Sequence, residues 1–187
     1  MRAGFSFSDI ANDTKNMTTI RPELPTDHDA VRAIHQAAFD TPLEARLVDE
    51  LRKAGKDIVS LVAERDGRIV GHILFSPVSV EIHPAGRRGL GLAPLAVAPE
   101  YQRKGIGGEL IKSGLDAARA AGYAFTVVLG DPAYYRRFGF ATASLTGLKN
   151  EYELDDPFMA QALIKGGLKG IKGLVRYAPE FEIFEEQ

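Results

Sequence analysis

The stretch LAVAPEYQRKGIGGELI, residues 95–111, limits what this chain can fold into more than any other segment. An apolar run leads through Ala98-Pro99 to Gln102-Arg103-Lys104. Glycines then stand at 105, 107 and 108, and an amphipathic segment follows. An ordinary strand-to-helix turn needs one glycine at most. Three glycines beside two cations suit a helix start where an anion meets bare backbone. The first N–H groups of a helix lack intrahelical partners and sit at the positive end of its dipole. Without Cβ atoms in the way, phosphate oxygens can reach those amides. Residues 102–108 therefore read as a pyrophosphate cradle, or as a turn that only lets the helix pack closely. A Walker A loop fails because Lys104 precedes the glycines. The dinucleotide fingerprint begun at Gly105 fails because Leu110 stands where its last glycine should be.

The rest of the composition narrows the setting. A chain of 187 residues with 45% hydrophobic content can bury a core as one domain, taken as residues 17–187. Residues 1–16 are polar and aperiodic and read as a loose extension, native or added. A net charge of -2 gives no basis for a nucleic-acid or anionic-membrane surface, so any cationic site is local. With no cysteine, disulfides, thiolate zinc sites and a cysteine nucleophile are excluded. No apolar run reaches the length of a membrane span. The expectation is a cytoplasmic protein without nucleic-acid or membrane partners.

Along the chain, residues 18–24 suit a first strand, with Pro22 confining it to an edge or to its own beginning. A helix follows from a Thr26 N-cap. A second helix has Thr41 as N-cap, Pro42 at its first position and Glu44 completing a capping box; Leu43, Leu47 and Leu51 share one face and Gly55 ends it. Two β-rich runs flank Asp66-Gly67, a strong hairpin signal. A further strand runs through GLGLAPLAVAP, residues 89–99. The segment after the glycines is a helix to Gly122, and AFTVVLG reads as a buried parallel strand. Asp131 can cap a short helix with Pro132 at its first position. Near the end, PFMAQALI and GLVRYAPEF suggest two strands paired across the intervening KGGLKGIK. This order predicts a mixed α/β sheet, not a repeating βαβ array. The FEIFEE tail alternates like an edge strand, but its charge suits a solvated acidic end.

Gln102-Arg103-Lys104-Gly105-Ile106-Gly107 matches the Q/R-x-x-G-x-G/A motif of the GCN5-related N-acetyltransferases (the GNAT family), and the preceding LAV resembles that family's fourth strand. The element order, the strand after the helix and AYYRRFGF are similar to the family's pattern over roughly residues 18–181. GHILFSPV, LGDPAYYRRFGF and LVRYAPEF resemble the subgroup named after YhbS. The resemblance implies the GNAT acyl-CoA N-acyltransferase fold, a mostly antiparallel twisted sheet flanked by helices. It implies acetyl-CoA as co-substrate, no metal, and direct transfer of acetyl to an amine on a small molecule or peptide. The amides of Arg103, Lys104, Gly105, Ile106, Gly107 and Gly108 would hold phosphate beside Gln102. Leu95, Ala96 and Val97 would pair with the pantetheine arm as an added strand, and one of their amides would polarise the thioester carbonyl.

Such a transfer needs a free amine, a stabilised oxyanion and a proton for the departing thiolate. Tyr135 stands where the family carries its tyrosine acid, and a phenol is protonated at neutral pH. Tyr134 reads as aromatic packing. His72 is a possible base, equally well explained as a satisfied histidine inside a sheet; Glu81 and His83 are weaker candidates. Glu44 could meet a cationic acceptor or only cap its helix. Ser76, Arg136 and Arg137 read as surface or packing residues, with either arginine able to reach the coenzyme's 3′-phosphate. Many family members carry an asparagine after the fifth strand that touches the coenzyme. The loop here, LGDP, lacks it, and Asp131 is read as a helix cap. A non-catalytic sensor with the same cradle, a transferase of another acyl group, and a monomer or homodimer remain open.

Overall fold

The long strand β3, Arg68–Ile82, organises the molecule, because it is long enough to belong to two sheets at once. In the computed structural model residues 17–184 are described, so the reading of residues 1–16 as an extension lies outside them. The strands in chain order are β1 (Thr18–Pro22), β2 (Val59–Arg65), β3, β4 (Gly89–Val97), β5 (Phe125–Leu129), β6 (Ala141–Thr142), β7 (Leu148–Asn150), β8 (Phe158–Ala162) and β9 (Lys172–Arg176). The helices are α1 (His28–Ala38), α2 (Leu43–Lys53), α3 (Ile106–Ala120) and the single turn α4 (Pro132–Tyr135). The main path runs β1-β2-β3-β4-β5-β8-β6, while the far end of β3 pairs with β9, and β9 with β7. Every main-path pairing is antiparallel except β4–β5.

Alternation along the strands divides the core. Ile73 and Phe75 of β3 pack with Leu110, Ile111 and Leu115 of α3. Leu74, between them, faces Val31 of α1 and Leu47 and Leu51 of α2. The central strands are thus covered on both faces, which is why β3 and β5 read as continuous apolar runs. The α3 face comes very close: a Cβ at Gly114 would stand 2.4 Å from the Phe75 ring.

The parallel β4–β5 pairing decides where a ligand can enter. It covers only Gly89–Gly91 against Phe125–Val127. Beyond Gly91 the strands part, leaving β4 from Leu92 to Val97 paired on its β3 side alone.

Four local expectations are corrected. PFMAQALI and GLVRYAPEF do not pair: β8 lies antiparallel between β5 and β6, and β9 joins the end of β3 and runs parallel to β7. The intervening segment is pinned to the start of β5, with Leu163 N–H donating to Ala124 O at 2.9 Å and Ile171 fully buried, so it cannot close a hairpin. The first helix begins at His28 after a 3₁₀ turn at Pro25–Asp27; Asp27, not Thr26, closes the turn by accepting from Leu24 N–H at 2.8 Å and pairing with Arg21. The second helix begins at Leu43, and Thr41 Oγ1 donates to Glu44 Oε2 at 3.2 Å in place of a reciprocal capping box. Nor is the described part of the tail a strand. Pro179–Phe184 is 3₁₀, with Phe181 buried and Glu180 paired to Lys56.

Candidate active site

The turn into α3 carries its own curvature. Arg103 (φ 59°) and Gly105 (φ 88°) both lie in the left-handed region, which folds the turn into a concavity of amides ahead of the helix. Gly107 is different. Its backbone is helical, but a Cβ there would come within 2.8 Å of Tyr134 Oη and reduce the space beside the helix start. A cavity of about 840 Å³ opens against Gln102, Arg103, Gly105, Gly107 and Gly108, and Lys112 and Arg137 line it from α3 and the segment after α4.

Not every residue of the motif contributes in the same way. Ile106 turns its side chain into the core. Lys104 folds back, with Nζ donating to Glu100 O at 2.8 Å and lying 5.4 Å from the Tyr101 ring centroid. The positive charge lining this cavity comes from Arg103, Lys112 and Arg137 instead of Lys104, and it outweighs the one lining carboxylate, Glu109. Lys112 was not legible beforehand, because its place depends on α3 running along the cavity. Tyr134 lines the same cavity, with Arg137 stacked 4.5 Å over its ring.

The open edge of β4 begins where this cavity ends. Ala98 N–H donates to Val70 O at 2.9 Å, and Ala96 is paired with His72. By antiparallel alternation the N–H and C=O groups of Ala96 face β3, while those of Leu95 and Val97 face the gap left by β5. Gln102 Nε2 donates to Val97 O at 2.9 Å across that gap. Ala96 is therefore turned away: its side chain packs with Ile34. Leu95 and Val97 are the residues that offer backbone to a ligand.

Leu95 also lines a second, apolar cavity of about 490 Å³, so the two spaces meet at this residue. Tyr135 reaches the second space from α4. Asp131 caps that turn, its Oδ1 accepting from Ala133 N–H at 2.9 Å, as the sequence suggested. Gly130 leaves room for the Tyr135 ring, which a Cβ would meet at 2.4 Å. Burial pushes the Tyr135 phenol above its ordinary value, so it stays protonated throughout the neutral range. Glu44 lines this cavity too, alongside Tyr152, Tyr177, Phe181 and Phe184. These aromatics went unread because the last third of the chain carries no periodic signal that fixes its position.

His72 lies elsewhere. It is fully buried and lines neither cavity. Its Nδ1 is 2.9 Å from His35 Nε2 and its Nε2 is 2.9 Å from Ser60 Oγ. Ser60 donates to Glu23, which also pairs with Arg52. Burial would raise Glu23, but His72 Nε2, 3.6 Å away, and hydrogen bonds from Ser60 and Arg52 outweigh it and hold the carboxyl at about 2. Burial holds His72 below its ordinary value against the pull of Glu23. Burial, then His72 and Arg52, hold His35 at about 2.

This network has a consequence for stability. His35 stays neutral in the fold yet binds a proton in the unfolded chain below about pH 6.5, and burial pushes His72 in the same direction. A depressed folded-state pKa gives stability that is full above the unfolded value and is lost as pH falls. A neutral His35 steepens that loss by about 1.4 kcal/mol per pH unit and so removes about 2 kcal/mol between pH 6.5 and 5. Glu23 adds to the loss only below about 4.5. Urea midpoints should fall across pH 6.5–5, and His35→Gln should flatten the slope. A stability constant over that range would contradict a neutral His35.

The remaining candidates lie away from the cleft. Glu81 accepts from Leu174 N–H at 2.8 Å and ties β3 to β9. His83 is exposed beside Pro84. Ser76 is fully buried, not a surface residue. Arg136 is exposed and reaches only Asp156, at 4.0 Å. Among the described residues no group of three or more histidine, aspartate or glutamate side chains is placed to hold a metal ion, and no helix is long and apolar enough to cross a membrane.

A parallel strand pair that opens beside a glycine-bounded helix start is the architecture of the GNAT N-acyltransferases, and fold and site together define that class. The family profile described as Acetyltransferase (GNAT) domain matches residues 19–143, and the chain belongs to this family. It is 38% identical over 167 residues to the protein named Uncharacterized N-acetyltransferase YhbS of Escherichia coli K12, covering 88% of this chain and 99% of that one. The crystal structure of E. coli YhbS in complex with CoA superposes with a TM-score of 0.84 at 37% identity, covering 89% of this chain and 93% of that one. A GNAT acetyltransferase from Brucella melitensis in complex with acetyl-CoA gives 0.73 at 37% identity, covering 89% and 99%.

Proposed function

We propose that this protein transfers the acetyl group of acetyl-CoA directly to an amine, with Tyr135 as the general acid. The observation that carries the reading is the meeting of two spaces at Leu95: a cationic, glycine-lined helix start on one side and a protonated phenol on the other. Relatives at 37% identity that bind CoA and acetyl-CoA support it.

The residues present fit the co-substrate. The open concavity at Arg103–Gly108, free of Cβ atoms at 105, 107 and 108, suits a pyrophosphate, and Arg103, Lys112 and Arg137 suit its charge. The outward N–H and C=O of Leu95 and the outward N–H of Val97, whose C=O already accepts from Gln102, suit an amide-bearing arm laid along β4 as an extra strand. Acetyl-CoA supplies the activated acyl group. One of the two outward amides, on Leu95 or Val97, polarises the carbonyl. Tyr135 holds its proton on Oη until the sulfur leaves. Apolar walls at Leu92, Leu95 and Leu129 keep water from the acyl carbon. His72, sealed from the cleft, acts by holding β2, β3 and α1 together. Use of acetyl-CoA sets the cytoplasm as the place of action.

The test is acyl transfer itself. Incubation with acetyl-CoA and a panel of primary amines should release CoA thiol and give products heavier by one acetyl group. Acetyl-CoA bound but never consumed with any amine would favour a sensor instead.

A further inference from the structure

The apolar cavity beyond Leu95 points to the kind of amine. We infer that the acceptor is a small primary amine with an aromatic or alkyl body, held with its ammonium toward Glu44 and its apolar part among Phe39, Tyr152, Tyr177 and Phe181. The inference rests on the acetyl-transfer reading above and specifies its acceptor.

Three observations carry it. The first is the lining. Among the described residues, Glu44 is the one lining side chain with a formal charge, and six of the lining residues are phenylalanine or tyrosine. A polyamine or an aminosugar with several ammonium groups would need several carboxylates, because each charge left unpaired in such surroundings is costly. One carboxylate matches one charge, and aromatic faces add cation–π attraction for an ammonium beside them. The second is the polar equipment of the wall. Glu44 is held by Thr41 through Oε2, so its orientation is set from the helix start and its other oxygen is not used by that bond. The third is the mouth. Tyr152 (37% exposed), Leu154 (46%) and Phe184 (36%) line the cavity while still partly exposed, so a ligand enters over an apolar surface. About 490 Å³ fits a compact apolar amine.

The reaction balances simply. The acceptor arrives as an ammonium and loses one proton to water near Glu44. Its nitrogen then bonds to the acetyl carbon as the carbon–sulfur bond breaks. The second proton from nitrogen replaces the one that Tyr135 gives to sulfur. Ammonium plus acetyl-CoA thus becomes acetamide, CoA thiol and one released proton.

The experiment compares 2-phenylethylamine and hexylamine with spermidine, kanamycin and an alanine-initiated peptide, following CoA thiol release with acetyl-CoA saturating. The apolar amines should exceed the others at least tenfold in kcat/KM. Glu44→Gln should raise KM for 2-phenylethylamine at least tenfold and leave KM for acetyl-CoA unchanged, a split that a purely structural role would not give. Leu154→Asp, a change at the exposed mouth, should improve spermidine relative to hexylamine. Preference for spermidine, kanamycin or the peptide overturns the inference, as does an unchanged amine KM in Glu44→Gln. Turnover of none of these amines with acetyl-CoA still bound overturns it too. Those outcomes leave the acetyl-CoA reading standing, whereas absence of acetyl-CoA binding removes both.

Discussion

Tyr135→Phe should lower kcat by about 10²–10⁴, the usual contribution of a positioned proton donor, and leave KM for acetyl-CoA within about twofold. The substitution is nearly isosteric. Tyr135 packs edge-on against Tyr134 at 5.2 Å and Phe140 at 5.6 Å between ring centroids, contacts that a phenylalanine preserves. A fall in rate without a fall in thermal midpoint would therefore report the hydroxyl. Burial raises this phenol, so the wild-type rate should show no loss from its ionisation anywhere below pH 10. Tyr134→Phe is the natural comparison, because Tyr134 faces the cradle cavity and not the apolar one. Its effect should fall on acetyl-CoA affinity and amount to less than about threefold, since the ring and its stacking on Arg137 remain. Equal, small effects from both tyrosines would mean that Tyr135 is packing and that the proton comes from elsewhere.

Gly107→Asp should weaken acetyl-CoA binding by about 100-fold, close to 2.7 kcal/mol. The new Cβ would stand 2.8 Å from Tyr134 Oη, narrowing the space beside the helix start, and the carboxylate would sit where a pyrophosphate is expected. The same change should not harm the free protein. An acidic side chain in the first turn of a helix complements its dipole, and the residue lies within helical backbone, where aspartate is tolerated. Lost affinity together with an unchanged or raised midpoint of the free protein separates a damaged binding site from a damaged fold. An unchanged affinity would return the glycines to a packing role.

The glycine turn into the helix was legible because its signals are local. Glycine spacing, flanking cations and the amphipathic run after them are all adjacent in the chain, and the matching family motif adds to them. The β4 edge was legible only in part. Leu95–Val97 could be recognised as strand. That Ala96 faces β3 depends on the register with His72, which is set by pairing across the sheet. Lys104 and Lys112 show the same limit, since two lysines eight residues apart exchange the expected role once the helix fixes their directions. The final third was misread for a different reason. β8 and β9 are both short apolar runs, and their partners, β5 and β3, lie far back in the chain. Nothing local separates that arrangement from a hairpin. The buried set of Glu23, Arg52, Ser60, His35 and His72 was likewise invisible, because each member alone reads as an ordinary surface or strand residue.

The most direct measurement is thermal unfolding with increasing acetyl-CoA, beside parallel titrations with ATP and NAD. At about 100 times the dissociation constant a ligand stabilises by about 2.7 kcal/mol. For a chain of this size that raises the midpoint by about 5–10 °C. The account predicts such a rise with acetyl-CoA, none with NAD, and little with ATP. No rise with acetyl-CoA, or a larger one with ATP or NAD, would contradict the acetyl-CoA cradle at residues 102–108 and the acetyl transfer that depends on it.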